Sequence, residues 1–186
     1  MKFNHNGIGK LADAQSCTVT EKRNGSYELK LVCPADGIHA ESLEEGNIIL
    51  AKPSDTGQSQ PFRIYKVTTP IDGKLEVQAR HISYQLNFIT VSPFSAGGCQ
   101  AAMEGLKEHA ASDCPFSVWT DVESNATFVL AVPASFRNSL GGMDASILDV
   151  FGGEFEWERY TVKFHKARGA DHNVHIIYGK NLTDFK

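Results

Sequence analysis

Alternation of apolar and polar residues governs the first half of the chain and predicts antiparallel β structure. In "SCTVTEKRNGSYELKLVC" two alternating runs flank Asn24-Gly25, a dipeptide that accepts the positive φ angles of a tight hairpin turn. The second run puts Tyr27, Leu29, Leu31 and Cys33 on one face, with Glu28 and Lys30 on the other. "GNIILAK", residues 46–52, predicts a further short strand. A second hairpin follows: residues 62–69 run out, Pro70-Ile71-Asp72-Gly73 turns, and residues 74–81 return. On the return strand Leu75, Val77, Ala79 and His81 project to one side, and Lys74, Glu76, Gln78 and Arg80 to the other.

After residue 90 the period changes. "SAGGCQAAMEGLKEHAA" sets Cys99, Ala102, Met103, Leu106 and Ala110 at helical spacing, with Ser95 as the predicted N-cap and Asp113 and Pro115 as the stop. "PFSVWTDV" and "ATFVLAV" predict two strands separated by Glu123-Ser124-Asn125. Ser135 is the predicted cap of a short helix that stops at Gly141-Gly142, and "MDASILDVFGG" predicts another helical turn ending in paired glycines. In "EFEWERYTVKF", Glu154, Glu156 and Glu158 share one strand face and Phe155 and Trp157 the other. Arg168-Gly169-Ala170-Asp171 reads as a turn into "NVHIIYGKNL", the last predicted strand. The order is β, then α+β, then β again, with no internal repeat or low-complexity linker.

Composition narrows the class of function. A chain of 186 residues fits one ordinary domain, or two small ones sharing a core. It can remove about 70% of its unfolded surface from water without a disulfide or metal. The net charge of −4 argues against a nucleic-acid partner. The densest basic group, Lys163, Lys166 and Arg168, is flanked by acids. Cys17, Cys33, Cys99 and Cys114 are spread without a C-x-x-C pair, which excludes a zinc ribbon and reads as thiols in a reducing compartment. The opening "MKFNHNGIGKL" has no apolar core of signal-peptide length, and no apolar run approaches a membrane span. The expectation is a soluble chain not exported by a signal peptide. The glycosylation-type triplets at Asn24, Asn125 and Asn181 are then chance matches.

No constellation of residues amounts to an active site. Arg80-His81-Ile82-Ser83-Tyr84 gathers a histidine, a serine and a tyrosine, but His81 ends an apolar row, where an imidazole is expected to bond backbone. His172 and His175 form H-x-x-H beside Asp171, yet residues three apart on a strand point to opposite faces and do not converge on a metal. Cys99 begins a predicted helix, where the dipole lowers a thiol pKa, but it occupies that helix's apolar face. Glu154, Glu156 and Glu158 match a glycosidase carboxylate pair loosely, as any acidic strand face would. Gly97-Gly98, Gly141-Gly142 and Gly152-Gly153 lack the spacing and lysine of a phosphate loop. No catalytic, cofactor-binding or metal-ligating residue is assigned, and no cofactor is expected.

Several stretches taken together resemble one family. "SYELKLVCP", "EGNIILAK", "QPFRIYKV", "ARHISYQL", "SILDVFGGEFEWERYTVKFHKARG" and "IIYGKNL" occur in this order and at this spacing. They are similar to the N-terminal region of phage minor structural proteins, the prophage endopeptidase-tail or tail-associated-lysin family. The resemblance covers nearly the whole chain and is most specific at "ARHISY", "GGEFEW", "KARG" and "YGKNL". It implies a fold like the phage baseplate hub: a tube-type antiparallel β-barrel interrupted by an inserted α+β domain. The expected division is residues 1–90 plus 173–186 for an incomplete barrel, and residues 91–172 for the insertion.

In that family the hub is a trimer between a six-fold tube and a three-fold tip. A second barrel follows in each chain, and any peptidase or host-binding module lies further downstream. This sequence stops at Lys186, before those parts, so the enzymatic name is not expected to transfer. The expectation is a non-enzymatic, β-rich α+β structural protein of a virion tail tip, made in the bacterial host cytoplasm. Its expected partners are other hub subunits in a homotrimer, the distal tail protein, and a tail spike or fibre. DNA would pass through the lumen without specific binding, and no membrane is involved. The alternatives are a cell-wall hydrolase using His81 or the 172/175 pair, and a carbohydrate-binding module using Trp119 or Trp157.

Overall fold

The computed structural model describes residues 7–68 and 72–169. The alternating runs of the first half form β1 (Ser16–Glu21), β2 (Tyr27–Pro34), β3 (Ile48–Ala51), β4 (Gln60–Thr68) and β5 (Lys74–His81). They pair as one curled antiparallel sheet, half of a barrel, in the order β1-β2-β5-β4-β3. Register follows the apolar rows. Leu29 faces Ala79, Leu31 faces Val77 and Cys33 faces Leu75, so both strands turn their buried residues to one side. A bulge between Ile64 and Lys66 leaves Tyr65 without a register partner, and its hydroxyl bonds Gln78 Oε1 at 2.8 Å on the outer face. The β1–β2 turn is longer than the tight hairpin expected from Asn24-Gly25. Lys22 N–H bonds Ser26 O and Gly25 N–H bonds Lys22 O, while Asn24 alone takes a left-handed φ of 50°.

His81 ends β5 and starts a 3-10 helix, Ile82–Phe88, that turns the chain out of the sheet. Ile82 and Leu86 on this helix are fully buried.

The second half builds smaller pieces around α1 (Cys99–Glu108), α2 (Phe136–Gly141) and α3 (Ile147–Phe151). The strands are β6 (Thr90–Val91), β7 (Phe94–Gly97), β8 (Ser117–Thr120), β9 (Thr127–Leu130), β10 (Ala134–Ser135), β11 (Glu154–Glu158) and β12 (Thr161–His165). β6 pairs β10, β7 pairs β9, and β11-β12-β8 form a three-stranded sheet in which β12 and β8 run parallel.

Two local expectations are corrected. Ser95 is not the cap of α1: it lies in β7 opposite Val129, and the cap is Gly98, at φ 84° and without a side-chain bond. Pairing with β9 holds residues 94–97 extended, and the glycine makes the turn into the helix. The helix also ends sooner than the pattern implies, because Ala110 bridges Val91 in place of a further helical turn. The Ser135 cap is as expected, accepting from Asn138 N–H, and α3 has a cap of the same kind that was not anticipated, Ser146 accepting from Asp149 N–H.

The buried residues of both halves form one continuous apolar cluster, from Tyr27 and Leu29 to Val162 and Phe164. Polar ties add to it. Asn24 bonds Gly153 O and Phe155 N–H, Gln60 Oε1 accepts from Arg159 N–H, and Arg168 pairs with Glu21. Asp171, His172, His175 and the predicted last strand lie outside the described residues.

Candidate functional site

The 3-10 corner after β5 gathers the polar side chains that the sequence singled out. His81 is 1% exposed and stacks on Tyr27, with ring centres 4.6 Å apart. Its Nδ1 accepts from Ser83 N–H at 3.2 Å, which fixes the tautomer with the proton on Nε2. That nitrogen faces Gln60 Oε1 at 3.4 Å, and the same oxygen accepts from Arg159 N–H at 2.7 Å. Burial first, and then the nearby Arg137 charge, push the His81 pKa down to about 3. Both ring nitrogens of this neutral imidazole are therefore engaged. Ser83, also fully buried, accepts from Arg137 Nη1 at 2.9 Å, so its hydroxyl is directed to the guanidinium and not to the imidazole.

The corner's outer side is an alternation of arginines and aromatic rings. Arg80 Cζ lies 4.3 Å from the Tyr65 ring centre and 5.3 Å from that of Tyr84. Arg137, at the start of α2, lies 4.1 Å from Tyr84 and 4.8 Å from Trp157 on β11. The series Tyr65–Arg80–Tyr84–Arg137–Trp157 links the outer face of the first sheet to the second half. Arg63 stands opposite Arg80 in register. With the Gln85 amide turned to present its oxygen, Arg63 Nη2 and Nε donate to it at 2.5 and 2.9 Å, and Nη1 donates to Gly46 O at 2.6 Å. Arg80 reaches Glu28 at 3.3 Å. Among the described residues neither Arg63 nor Arg137 has a carboxylate partner, and burial lowers the Arg137 pKa. Arg63 and Arg137 were not among the sequence candidates. They lie 17 residues or more from the corner and follow no local period that would betray the contact.

The remaining candidates are dispersed and separately partnered. Glu154 pairs with Arg23 at 3.0 Å, Glu156 bonds His165 at 2.8 Å, and Glu158 pairs with Lys163 at 2.5 Å, so each carboxylate of the acidic strand face has its own partner. A cleft of about 420 Å³ beside it is lined by Glu21, Arg23, Glu154, Phe155, Arg168 and Gly169, whose charges also pair with one another. Cys99 sits in the core, and burial raises its pKa. Among the described residues no cluster of His, Cys, Asp and Glu could hold a metal ion. No helix there is long and apolar enough to cross a membrane. Of the two tryptophans, Trp119 is 44% exposed, whereas Trp157 is 8% exposed beside Arg137 and offers no open ring face for a sugar.

No protein-family model matches the sequence, and no curated protein matches it. Among solved structures the fold is similar to that of prophage tail protein gp18 from Listeria monocytogenes EGD-e, with a TM-score of 0.66 at 12% sequence identity. The match covers 94% of this chain and 52% of that one, so the chain spans about half of that protein's length. At this identity the likeness establishes a shared fold.

Proposed function

We propose that the protein is a structural component of a phage or prophage tail, placed at the tail tip as a hub-like part that joins tube to tip by protein–protein contacts. One observation carries this reading: nearly the whole chain superposes on a prophage tail protein. In this reading the half-barrel of residues 16–81 belongs to a tube-type barrel, and residues 91–172 are its insertion. Other hub subunits, a distal tail protein and a spike or fibre are the proposed partners. Contacts of this kind need broad complementary surface and no reactive group. The engagement of His81 and Ser83 with structural partners fits that requirement.

The test is immunogold electron microscopy of induced phage particles with an antibody to this chain. Label at the tail tip is the expected result, and label absent from particles overturns the reading. A peptidoglycan-release assay on the purified protein, with and without zinc, tests the hydrolase alternative. Robust release that is lost in His81→Ala would displace the structural reading.

A further inference from the structure

The arginine–aromatic corner carries more positive charge than its surroundings neutralise. Arg63, Arg80 and Arg137 converge on Tyr84 and Gln85, and Glu28 is the one carboxylate paired with any of them among the described residues. The local surplus is two positive charges on a chain whose net charge is −4. Arg137 is the extreme case. Its guanidinium is partly buried and donates to one neutral hydroxyl, Ser83 Oγ. A partly desolvated charge without a counter-ion destabilises the isolated chain.

We infer that this corner is a docking site for carboxylates, and that its occupant is an acidic segment of a partner protein, rich in Asp or Glu. Arg80 and Arg137 lie over the Tyr65, Tyr84 and Trp157 rings. Beyond the bonds of Arg80 Nε to Glu28 and Arg137 Nη1 to Ser83 their guanidinium edges carry further N–H donors, whereas Arg63 is already bonded to Gln85 and Gly46. Edge-on guanidinium is the geometry that grips a carboxylate with two parallel hydrogen bonds. A single-stranded nucleic acid would instead stack its bases on open aromatic faces. Arginine lies over the Tyr65 and Tyr84 rings, leaving Phe88, 87% exposed at the end of the 3-10 helix, as an open ring, and the oligothymidylate arm of the experiment tests that alternative. The contact would also give Arg137 the counter-charge it lacks among the described residues. The inference is independent of the tail assignment, since it is read on the isolated chain.

The experiment titrates the purified protein with hexaglutamate, and in parallel with an oligothymidylate of equal charge, at ~20 mM salt, where screening is weak. Trp157 emission, recorded in a Trp119→Phe background, reports occupancy next to Arg137. Expected are saturable hexaglutamate binding and a loss of about tenfold or more in both Arg137→Gln and Arg80→Gln, with Arg23→Gln unchanged. Arg80 is exposed, so its variant keeps the test decisive should Arg137→Gln fail to fold. Absence of hexaglutamate binding, equal binding by Arg80→Gln, or tighter binding of the oligothymidylate would overturn the inference. None of those outcomes bears on particle labelling, so the two readings fail separately.

Discussion

Asn24 holds the backbone of Phe155 from 131 residues away in sequence: its Oδ1 accepts from Phe155 N–H at 2.8 Å while its Nδ2 donates to Gly153 O at 2.9 Å. One amide side chain thus pairs with the open edge of β11 as a short strand would. It does so from a turn position with a φ of 50°, a conformation Asn adopts more readily than most residues.

Asn24→Ala removes both bonds and adds backbone strain, so a loss of about 1–3 kcal/mol is expected in urea unfolding. Asn24→Gly removes the same bonds but suits the left-handed turn, and should fall between wild type and alanine. Equal stability of the three proteins would show that the link to β11 contributes nothing.

His81 predicts a particular dependence on pH. Its pKa falls from 6.5 to about 3 on folding, so the unfolded chain binds the proton first as pH drops. The neutral ring's contribution is complete above about pH 6.5 and is lost progressively toward pH 3, by at most about 1.4 kcal/mol per pH unit. Between pH 7 and pH 5 wild type should lose about 2 kcal/mol more than His81→Gln does. Parallel stability curves for the two proteins would contradict a buried neutral imidazole.

Gly105 reverses the usual helix rule. Glycine to alanine inside a helix ordinarily stabilises, by up to about 1 kcal/mol. A Cβ at Gly105 would stand 2.3 Å from the Phe94 ring, which is stacked on His109 and packed against Phe128. Gly105→Ala should therefore destabilise, by about 1–3 kcal/mol as overpacking does. Adding Phe94→Leu should recover part of that loss, and a double-mutant cycle in thermal unfolding measures it.

Thiol reactivity should separate the cysteines by depth. Cys17 lies exposed on β1, whereas Cys33 and Cys99 are buried. With a thiol-specific reagent under native conditions Cys17 should label first, and Cys33 and Cys99 should follow only on unfolding. Early labelling of Cys99 would place it outside the core.

Legibility from sequence followed the range of the interactions. The first sheet was readable because one side of each inner strand is buried, which writes period two into residues 27–33 and 75–81. The cap at Ser135 was readable because a cap acts three residues away. The pairing of β8 with β12, or of β7 with β9, was not, since strands of four or five residues carry too little pattern to name a partner. Ser95 misled for that reason: its strand role is set by Val129, 34 residues on. At the corner the sequence did place His81 at the end of an apolar row with a backbone bond, and its Nδ1 accepts from Ser83 N–H. Arg137, Trp157 and Tyr65 joined it only through tertiary contact.

The ties between the two halves also set an order of events at the ribosome. Glu21, Asn24 and Gln60 are all synthesised about a hundred residues or more before their partners Arg168, Phe155 and Arg159. At typical elongation rates that interval lasts on the order of ten seconds, far longer than a hairpin needs to form. The nascent curled sheet must therefore wait without these ties until residues 153–168 emerge. During that interval a chaperone or a neighbouring nascent copy can reach the side chains of Glu21, Asn24 and Gln60 that the finished molecule holds in these ties.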